Sequence, residues 1–367
     1  MIPYGRQHID RDDIEEVVKV LKSDWLTQGP KVLEFEKALA KYCGAKYAVA
    51  VSSGTAALHL AYLAAGLKNG DEVITTPNTF VATTNMLLAV RAVPVFCDIK
   101  MDTYNIDEDK IEKYITKKTR AVVPVHFAGQ PCNMDKILKL AKKYNLLVIE
   151  DACHALGAEY ENRKVGSIGD MTIFSFHPVK SITTGEGGAV LTNNEAFYKK
   201  LLHLRTHGIK KDKNGFNVMT ELGYNYRLTD IQAALGLSQL KKLDKFLEQR
   251  HGIVSWYNAE LGDIKEIALP VELADTRSAW HIYVIRTKDI KIRNSLASFL
   301  KQSGIGVNFH YPSVYSHPYY RKNGNRKTKL ANEEIYHKSC LTIPLYPTLT
   351  LQNVKYVSEK IKTFYKT

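Results

Sequence analysis

The sequence predicts an α/β fold: a mostly parallel sheet covered by helices on both faces, followed by a smaller C-terminal α+β domain. Three observations carry this expectation. Short apolar runs alternate with segments of helical spacing through the first two-thirds of the chain. These runs are apolar almost throughout, not at every second residue, as in strands buried on both faces. The 367 residues also exceed one ordinary core, and the rhythm changes near residue 240, which divides 1–240 from 241–367.

In chain order, Tyr47–Val51 is a short β-prone run that leads into a helix through AALHLAYLAAGL. EVITT (72–76) is a strand, NMLLAV a helix and PVFCDI a strand. RAVVPVHF (120–127) is a strand, MDKILKLAKKYN (134–145) a helix and LLVIED (146–151) a strand. MTIFSF (171–176) and GAVLTN (188–193) complete the set. A long amphipathic segment from Thr229 to Arg250 follows. AWHIYVIRT (279–287) and GVNFHY (306–311) then read as strands, and 291–303, 331–338 and 351–365 as helices. In such sheets ligands bind outside the carboxyl ends of the strands.

Composition excludes several classes. With 45% hydrophobic and 24% charged residues the chain has the make-up of a soluble globular protein. Its longest apolar stretch, Ala56 to Leu67, is interrupted by His59 and is too short for a membrane span. MIPYGRQHID lacks the pattern of a signal peptide. Five scattered cysteines without a CxxC pair argue against a zinc ribbon or a disulfide framework, so no metal is expected and the cytoplasm is the expected compartment. The net charge of +13 comes mostly from lysines along helices and from one run, RKNGNRKTK (321–329). No nucleic-acid-binding motif accompanies it, and a solvated lysine-rich surface suited to anionic small molecules explains it better than a nucleic-acid partner.

Three strand ends carry chemistry. VSSGTAALHL places Ser52, Ser53, Gly54 and Thr55 where a strand passes into a helix, so N–H groups, hydroxyls and the helix dipole converge as a phosphate site would require. The same turn is also an ordinary helix cap. LLVIEDACHALG places Glu150 and Asp151 at the end of a buried strand, where a carboxylate needs a charged partner such as a pyridinium nitrogen. Capping of the next helix is the plainer alternative. Finally, Lys180 lies between Ser175 and the glycine-rich GEGG (185–188), among small residues that leave room beside it. A lysine of depressed pKa forms imines, whereas an exposed one merely solvates. Together these features supply handles for the phosphate, ring nitrogen and aldehyde of pyridoxal 5'-phosphate (PLP). Phe80, at another strand end, could stack on its ring or pack in the core.

Over essentially its full length the chain resembles the DegT/DnrJ/EryC1/StrS sugar aminotransferases, which are PLP-dependent transferases of fold type I. The stretches that carry the resemblance are IPYGRQHIDRDDIEEVVKVLKSDWLTQGP, VSSGTAALHLAYLAAGL, TPNTFVATTNM, EDACHALGAEY, FSFHPVKSITTGEGGAVLTN, RTHGI and GYNYRLTDIQAALGLSQL. SDWLTQGP and the Lys180 loop look like the pseudaminic-acid branch of that family. The resemblance implies that Lys180 tethers the cofactor, Asp151 pairs with its ring nitrogen and His154 contacts its ring hydroxyl. Gly54, Thr55 and Ser175 would hold the phosphate, with Phe80 over the ring. Asn225 would reach the cofactor phosphate of a neighbouring subunit, which implies a homodimer with shared active sites. Tyr4, Asp24, Trp25, Leu26, Thr27, His177, Arg227, His310, Tyr311, Pro312 and Ser313, with Gly54 and Asn225, would face a nucleotide-linked sugar. Cys153, between Asp151 and His154, is compatible with the pattern and could make the site sensitive to oxidation.

The resemblance further implies ping-pong transfer of an amino group from L-glutamate to the 4-keto group of UDP-2-acetamido-2,6-dideoxy-β-L-arabino-hex-4-ulose, with the cofactor carrying the amine as pyridoxamine phosphate. Another UDP-linked 4-keto sugar, or a 3-keto sugar, is the alternative. Family dehydratases carry histidine in place of the lysine, so the presence of Lys180 speaks against that chemistry. A regulatory, DNA-binding role has only the net charge behind it.

Overall fold

The computed structural model describes residues 1–322 and 330–366; positions 323–329 of the basic run lie outside the described residues, as does Thr367. Seven strands form the central sheet: β1 (Tyr47–Val51), β2 (Glu72–Thr75), β3 (Val93–Phe96), β4 (Thr119–Val123), β5 (Leu147–Asp151), β8 (Met171–Ser175) and β9 (Gly188–Thr192). In between, β6 (Glu159–Tyr160) and β7 (Arg163–Lys164) form a small separate sheet with β12 (Thr276–Arg277), and β10 (Ile209–Lys211) pairs with β11 (Asn217–Met219) in an exposed hairpin. The large sheet runs β1-β9-β8-β5-β4-β2-β3. Only β9 is antiparallel to its neighbours, so the carboxyl ends of six strands share one edge. Gly188, the first residue of β9, lies on the same edge, opposite Val51 on one side and Ser175 on the other.

The helices of the sheet-bearing part are α1 (Arg11–Leu21), α2 (Pro30–Cys43), α3 (Gly54–Ala64), α4 (Ala82–Ala89), α5 (Met134–Tyr144), α6 (Glu195–Arg205) and α7 (Asp230–Leu240). Their ends follow local chemistry. Asp10 and Asp13 make a capping box at α1, Pro30 opens α2, and Gly44, at φ 68°, closes it. Two apolar clusters cover the sheet. One joins Phe35, Leu39 and Leu243 to Phe174 and Phe176, and the other joins Leu58, Leu60 and Tyr62 to Val73, Val123 and Ile173.

A third cluster begins with Ile253 and Tyr257 of α8 (Leu243–Leu261) and includes Tyr283, Leu300, Leu341 and Ile361. Around it lie β13 (Tyr283–Arg286) and β14 (Cys340–Ile343), an antiparallel pair, and α9 (Ile290–Gln302) and α12 (Leu351–Lys366). The shorter α10 (Pro318–Lys322) and α11 (Ala331–Ser339) complete this part. We propose the α7–α8 junction, close to residue 240, as the domain boundary. The chain start also belongs to this third cluster: Ile2 packs against it, accepts from Gly306 N–H at 2.7 Å and donates to Gly304 at 2.9 Å.

The structure corrects three local expectations. Thr229 to Arg250 is not one segment: α7 ends at Leu240 and α8 starts at Leu243. The strand expected at 279–287 is only Tyr283–Arg286, because the N–H groups of Ala279 and His281 are bonded to Gly129 and Ala128 of the large domain, at 3.0 and 2.8 Å. Nor is 306–311 a strand. Asn308 alone bridges Thr342, and the following residues turn into the cavity described next. The partner of β13 is instead β14.

Candidate active site

At the carboxyl edge of the sheet lies a cavity of about 610 Å³, walled by strand ends of the large domain, by Tyr4, and by residues 308–312. Asp151 ends β5. Its Oδ2 accepts from Thr83 Oγ1 at 2.6 Å and its Oδ1 from Cys153 N–H at 3.2 Å. Glu150, one residue earlier, points to the other side, as strand alternation requires. There it accepts from Gly169 N–H and Thr172 Oγ1, both at 2.7 Å, and lies 2.9 Å from His126 Nε2. His126 Nδ1 accepts from Cys132 N–H, so the ring proton sits on Nε2 and is donated to Glu150. Of the two adjacent carboxylates, therefore, only Asp151 opens to the cavity.

Lys180 lines the same cavity from a loop that is tied down on both sides. Phe176 N–H donates to Gly187 at 2.8 Å, Thr184 N–H to Phe176 at 3.0 Å, and Lys180 N–H to His177 at 2.9 Å. A Cβ at Gly187 would lie 2.2 Å from Thr184 Oγ1, so any larger residue would displace that hydroxyl from its bond to the Glu186 carbonyl. Burial pushes the Lys180 amine below its ordinary value, an effect partly offset by the nearby Cys153 and Asp151.

The start of α3 forms the third wall. Ser53 Oγ is used as the helix cap, accepting from Ala56 N–H at 3.1 Å, so the capping alternative holds for this residue. Gly54 and Thr55 still present first-turn N–H groups to the cavity. A Cβ at Gly54 would stand 2.9 Å from Ser175 Cβ, so only glycine lets the helix start approach the end of β8. Gly188 is tighter, because a Cβ there would meet the carbonyl carbon and oxygen of Ser53 at 2.6 Å.

Aromatic rings close the site. Phe80 lines the cavity with 58% of its surface exposed, which excludes core packing as its role. His154 Nδ1 accepts from Ala128 N–H at 3.2 Å, so the proton sits on Nε2, which donates to Tyr311 Oη at 3.0 Å. Ala128 achieves this with a left-handed backbone, φ 57°. Burial, then the charge of Lys180, lowers the His154 pKa well below its usual value, and burial takes His310 down to about 3. Both rings are therefore neutral.

The expected residues thus fall into two groups. Tyr4, Gly54, Thr55, Phe80, Asp151, His154, Ser175, His177, Lys180, His310, Tyr311 and Pro312 share one cavity. Asp24, Trp25, Leu26, Thr27, Asn225, Arg227 and Ser313 do not line it. The first four and Asn225 are exposed, whereas Ser313 is fully buried. Arg227 pairs with Val51, so its segment runs beside the end of β1. Thr79, Thr83 and His281 line the cavity without having been expected there. Among the described residues no group of three or more His, Cys, Asp or Glu is arranged to hold a metal.

This donor set fits PLP. An acceptor carboxylate, an amine, a nest of N–H groups and hydroxyls, and an uncovered aromatic face line a cavity within the ordinary size range for a small-molecule site, roughly 300–1,000 Å³. Sheet and site together define a PLP-dependent transferase of fold type I. Residues 7–362 match the family model of the DegT/DnrJ/EryC1/StrS aminotransferase family. The chain is 44% identical over 367 residues to the UDP-4-amino-4,6-dideoxy-N-acetyl-beta-L-altrosamine transaminase of Campylobacter jejuni, covering 98% of this chain and 96% of that one. It is 42% identical over 378 residues to the spore coat polysaccharide biosynthesis protein SpsC of Bacillus subtilis, covering 100% and 97%. Among solved structures it is similar to Helicobacter pylori PseC, an aminotransferase involved in the biosynthesis of pseudoaminic acid, at 35% identity and TM-score 0.95 over 100% of both chains. Spr1654 of Streptococcus pneumoniae has been solved in PLP and PMP forms. These match at TM-scores of 0.94 and 0.95, with 32% and 31% identity, over 100% of this chain and 98% and 99% of those. The chain belongs to the DegT/DnrJ/EryC1/StrS aminotransferase family. It is an aminotransferase, and PLP is its cofactor.

Proposed function

We propose that the chain transfers an amino group from L-glutamate to the 4-keto group of UDP-2-acetamido-2,6-dideoxy-β-L-arabino-hex-4-ulose, a step in pseudaminic acid biosynthesis. The observation that carries the chemistry is the convergence of Lys180 and Asp151 on one cavity at the sheet's carboxyl edge. The choice of sugar is supported by the 44% likeness to the Campylobacter transaminase. The likeness to SpsC, named for spore coat polysaccharide biosynthesis, favours a second reading: another nucleotide-linked keto sugar.

When bound, the cofactor supplies an electron sink for negative charge at the carbon that bears the amino group. Asp151 would pair with the ring nitrogen. Gly54, Thr55 and Ser175 would hold the phosphate at the start of α3. Phe80 would stack on the ring, and His154, with Tyr311 bonded to it, would contact the ring hydroxyl. Lys180 would tether the aldehyde carbon. Its amine would take the proton from the glutamate α-carbon and deliver it across the nitrogen, two bonds away, and in the second half would move a proton the opposite way, onto C4 of the sugar. Burial lowers its pKa, the direction that favours the neutral amine this work requires.

Tyr4, His177, His310 and Pro312 line the cavity and would face the sugar nucleotide. Asp24 to Thr27, Asn225 and Arg227 lie outside their own chain's cavity, in keeping with service to a second copy's site. The exposed apolar residues Ile14, Val18, Leu21, Trp25, Leu26 and Leu33, on α1, α2 and their junction, are ones that a homodimer interface would cover.

The deciding experiment offers UDP- and dTDP-linked 3-keto and 4-keto sugars to enzyme that glutamate has converted to its amino form. Recovery of the visible absorption should be fastest with the UDP-linked 4-keto-2-acetamido-2,6-dideoxy sugar. Faster recovery with another sugar would replace the substrate proposed here; no recovery with any would remove keto sugars altogether.

A further inference from the structure

Behind Asp151 sits a hydroxyl pair that the steps above do not use. Thr79 and Thr83, at and just before the start of α4, are 2% and 0% exposed. Their Oγ1 atoms are 2.7 Å apart, and Thr83 Oγ1 is 2.6 Å from Asp151 Oδ2. A carboxylate can only accept, so Thr83 donates to it. That leaves Thr83 with lone pairs for Thr79, which must donate in turn. The Phe80 carbonyl, 3.2 Å from Thr83 Oγ1, competes for the same proton, but it is neutral and farther away, and charge-assisted bonds are the stronger. Tyr62 Oη fixes the backbone of Thr83 by donating to its carbonyl at 3.0 Å. The direction of every proton in the chain Thr79 to Thr83 to Asp151 is thereby set.

We propose that Thr83, oriented by Thr79, is a positioning residue that fixes the Asp151 carboxylate for its contact with the pyridine nitrogen. Cys153 N–H holds the other oxygen at 3.2 Å, so the carboxylate is gripped at both ends and cannot rotate away from the ring. The inference rests on the role given to Asp151 above.

The test compares Thr83→Val, Thr83→Ser, Thr79→Val and Asp151→Asn in the full chain. The readouts are cofactor affinity of the apoprotein by titration, the visible band of the holoenzyme across pH, and kcat and KM for glutamate. Thr83→Val should weaken cofactor affinity and lower kcat, each about 10-fold, the worth of a bond to a charged group, with KM unchanged. Its visible band should shift in the same sense as that of Asp151→Asn. Thr83→Ser should restore most of the loss, and Thr79→Val should show a smaller loss of the same kind, about 3-fold. A Thr83→Val protein with wild-type affinity and band overturns the proposal, as does a loss that serine does not repair. Should Thr83→Val fail to fold, wild-type values for Thr79→Val would overturn it equally. If Asp151→Asn itself matched wild type, the underlying role of Asp151 would fall, an outcome distinct from failure of Thr83 alone.

Discussion

Lys180 and Asp151 reach the cavity by different means, and their variants should fail differently. The amine is carried by a loop that Phe176, Thr184 and Gly187 tie shut, whereas the carboxylate is the last residue of a buried strand. Lys180→Ala should abolish turnover, yet still bind the cofactor without a covalent bond, because the phosphate and ring contacts remain. Borohydride treatment followed by mass measurement checks this: the variant should gain no cofactor mass, and normal transamination by it would refute the mechanism. Asp151→Asn keeps the shape of the site but removes the charge, so kcat should drop about 100-fold while the melting temperature changes little. At this scale the sequence was informative where a residue announces its own chemistry, as a lysine beside GEGG does. Thr83 and His281 were not legible. The role of Thr83 depends on a carboxylate 68 positions away, and His281 reaches the cavity only because the segment before β13 is stitched to Ala128 and Gly129.

At the level of elements, the rim where β1, β8 and β9 meet is held by close backbone approach. Gly188 leaves no space for a methyl group against Ser53, and the clash falls on backbone, which cannot swing aside. Gly188→Ala should therefore cost about 1–3 kcal/mol of stability and push the start of α3 away from Ser175. Chemical denaturation should report the first effect and cofactor titration a weaker affinity; unchanged values in both would contradict the account of this rim. The sheet strands were readable because burial on both faces makes them apolar throughout, as in YAVAV and MTIFS. α1 offered no such signal: only Asp13 and Val20 are buried in it, while Ile14, Val18 and Leu21 face outward. The residues at 306–311 misled for the opposite reason, since their alternating pattern serves a loop whose side chains enter the cavity.

For the molecule as a whole, the cavity concentrates groups that must stay uncharged. Burial lowers the pKa of His154, His281 and His310, the last to about 3, from an ordinary value of 6.5. The unfolded chain then binds more protons than the folded one below pH 6.5, so stability should fall as pH drops through that value and continue falling toward the folded pKa. Each such histidine contributes up to about 1.4 kcal/mol per pH unit. Denaturant midpoints of the cofactor-free protein at pH 7.5, 6.0 and 5.0 should decline in that order, less steeply for His310→Asn. Equal midpoints would mean that these rings are not buried neutral. The chain start has a consequence of its own. Ile2 is clasped between Gly304 and Gly306, and Tyr4 O accepts from Leu345 N–H at 3.0 Å, so segments far apart in the sequence are fastened to each other beside the cavity. A chain whose seven-stranded sheet has formed still lacks one wall of the cavity until residues 308–312 dock, so cofactor capture waits on the joining of two distant segments.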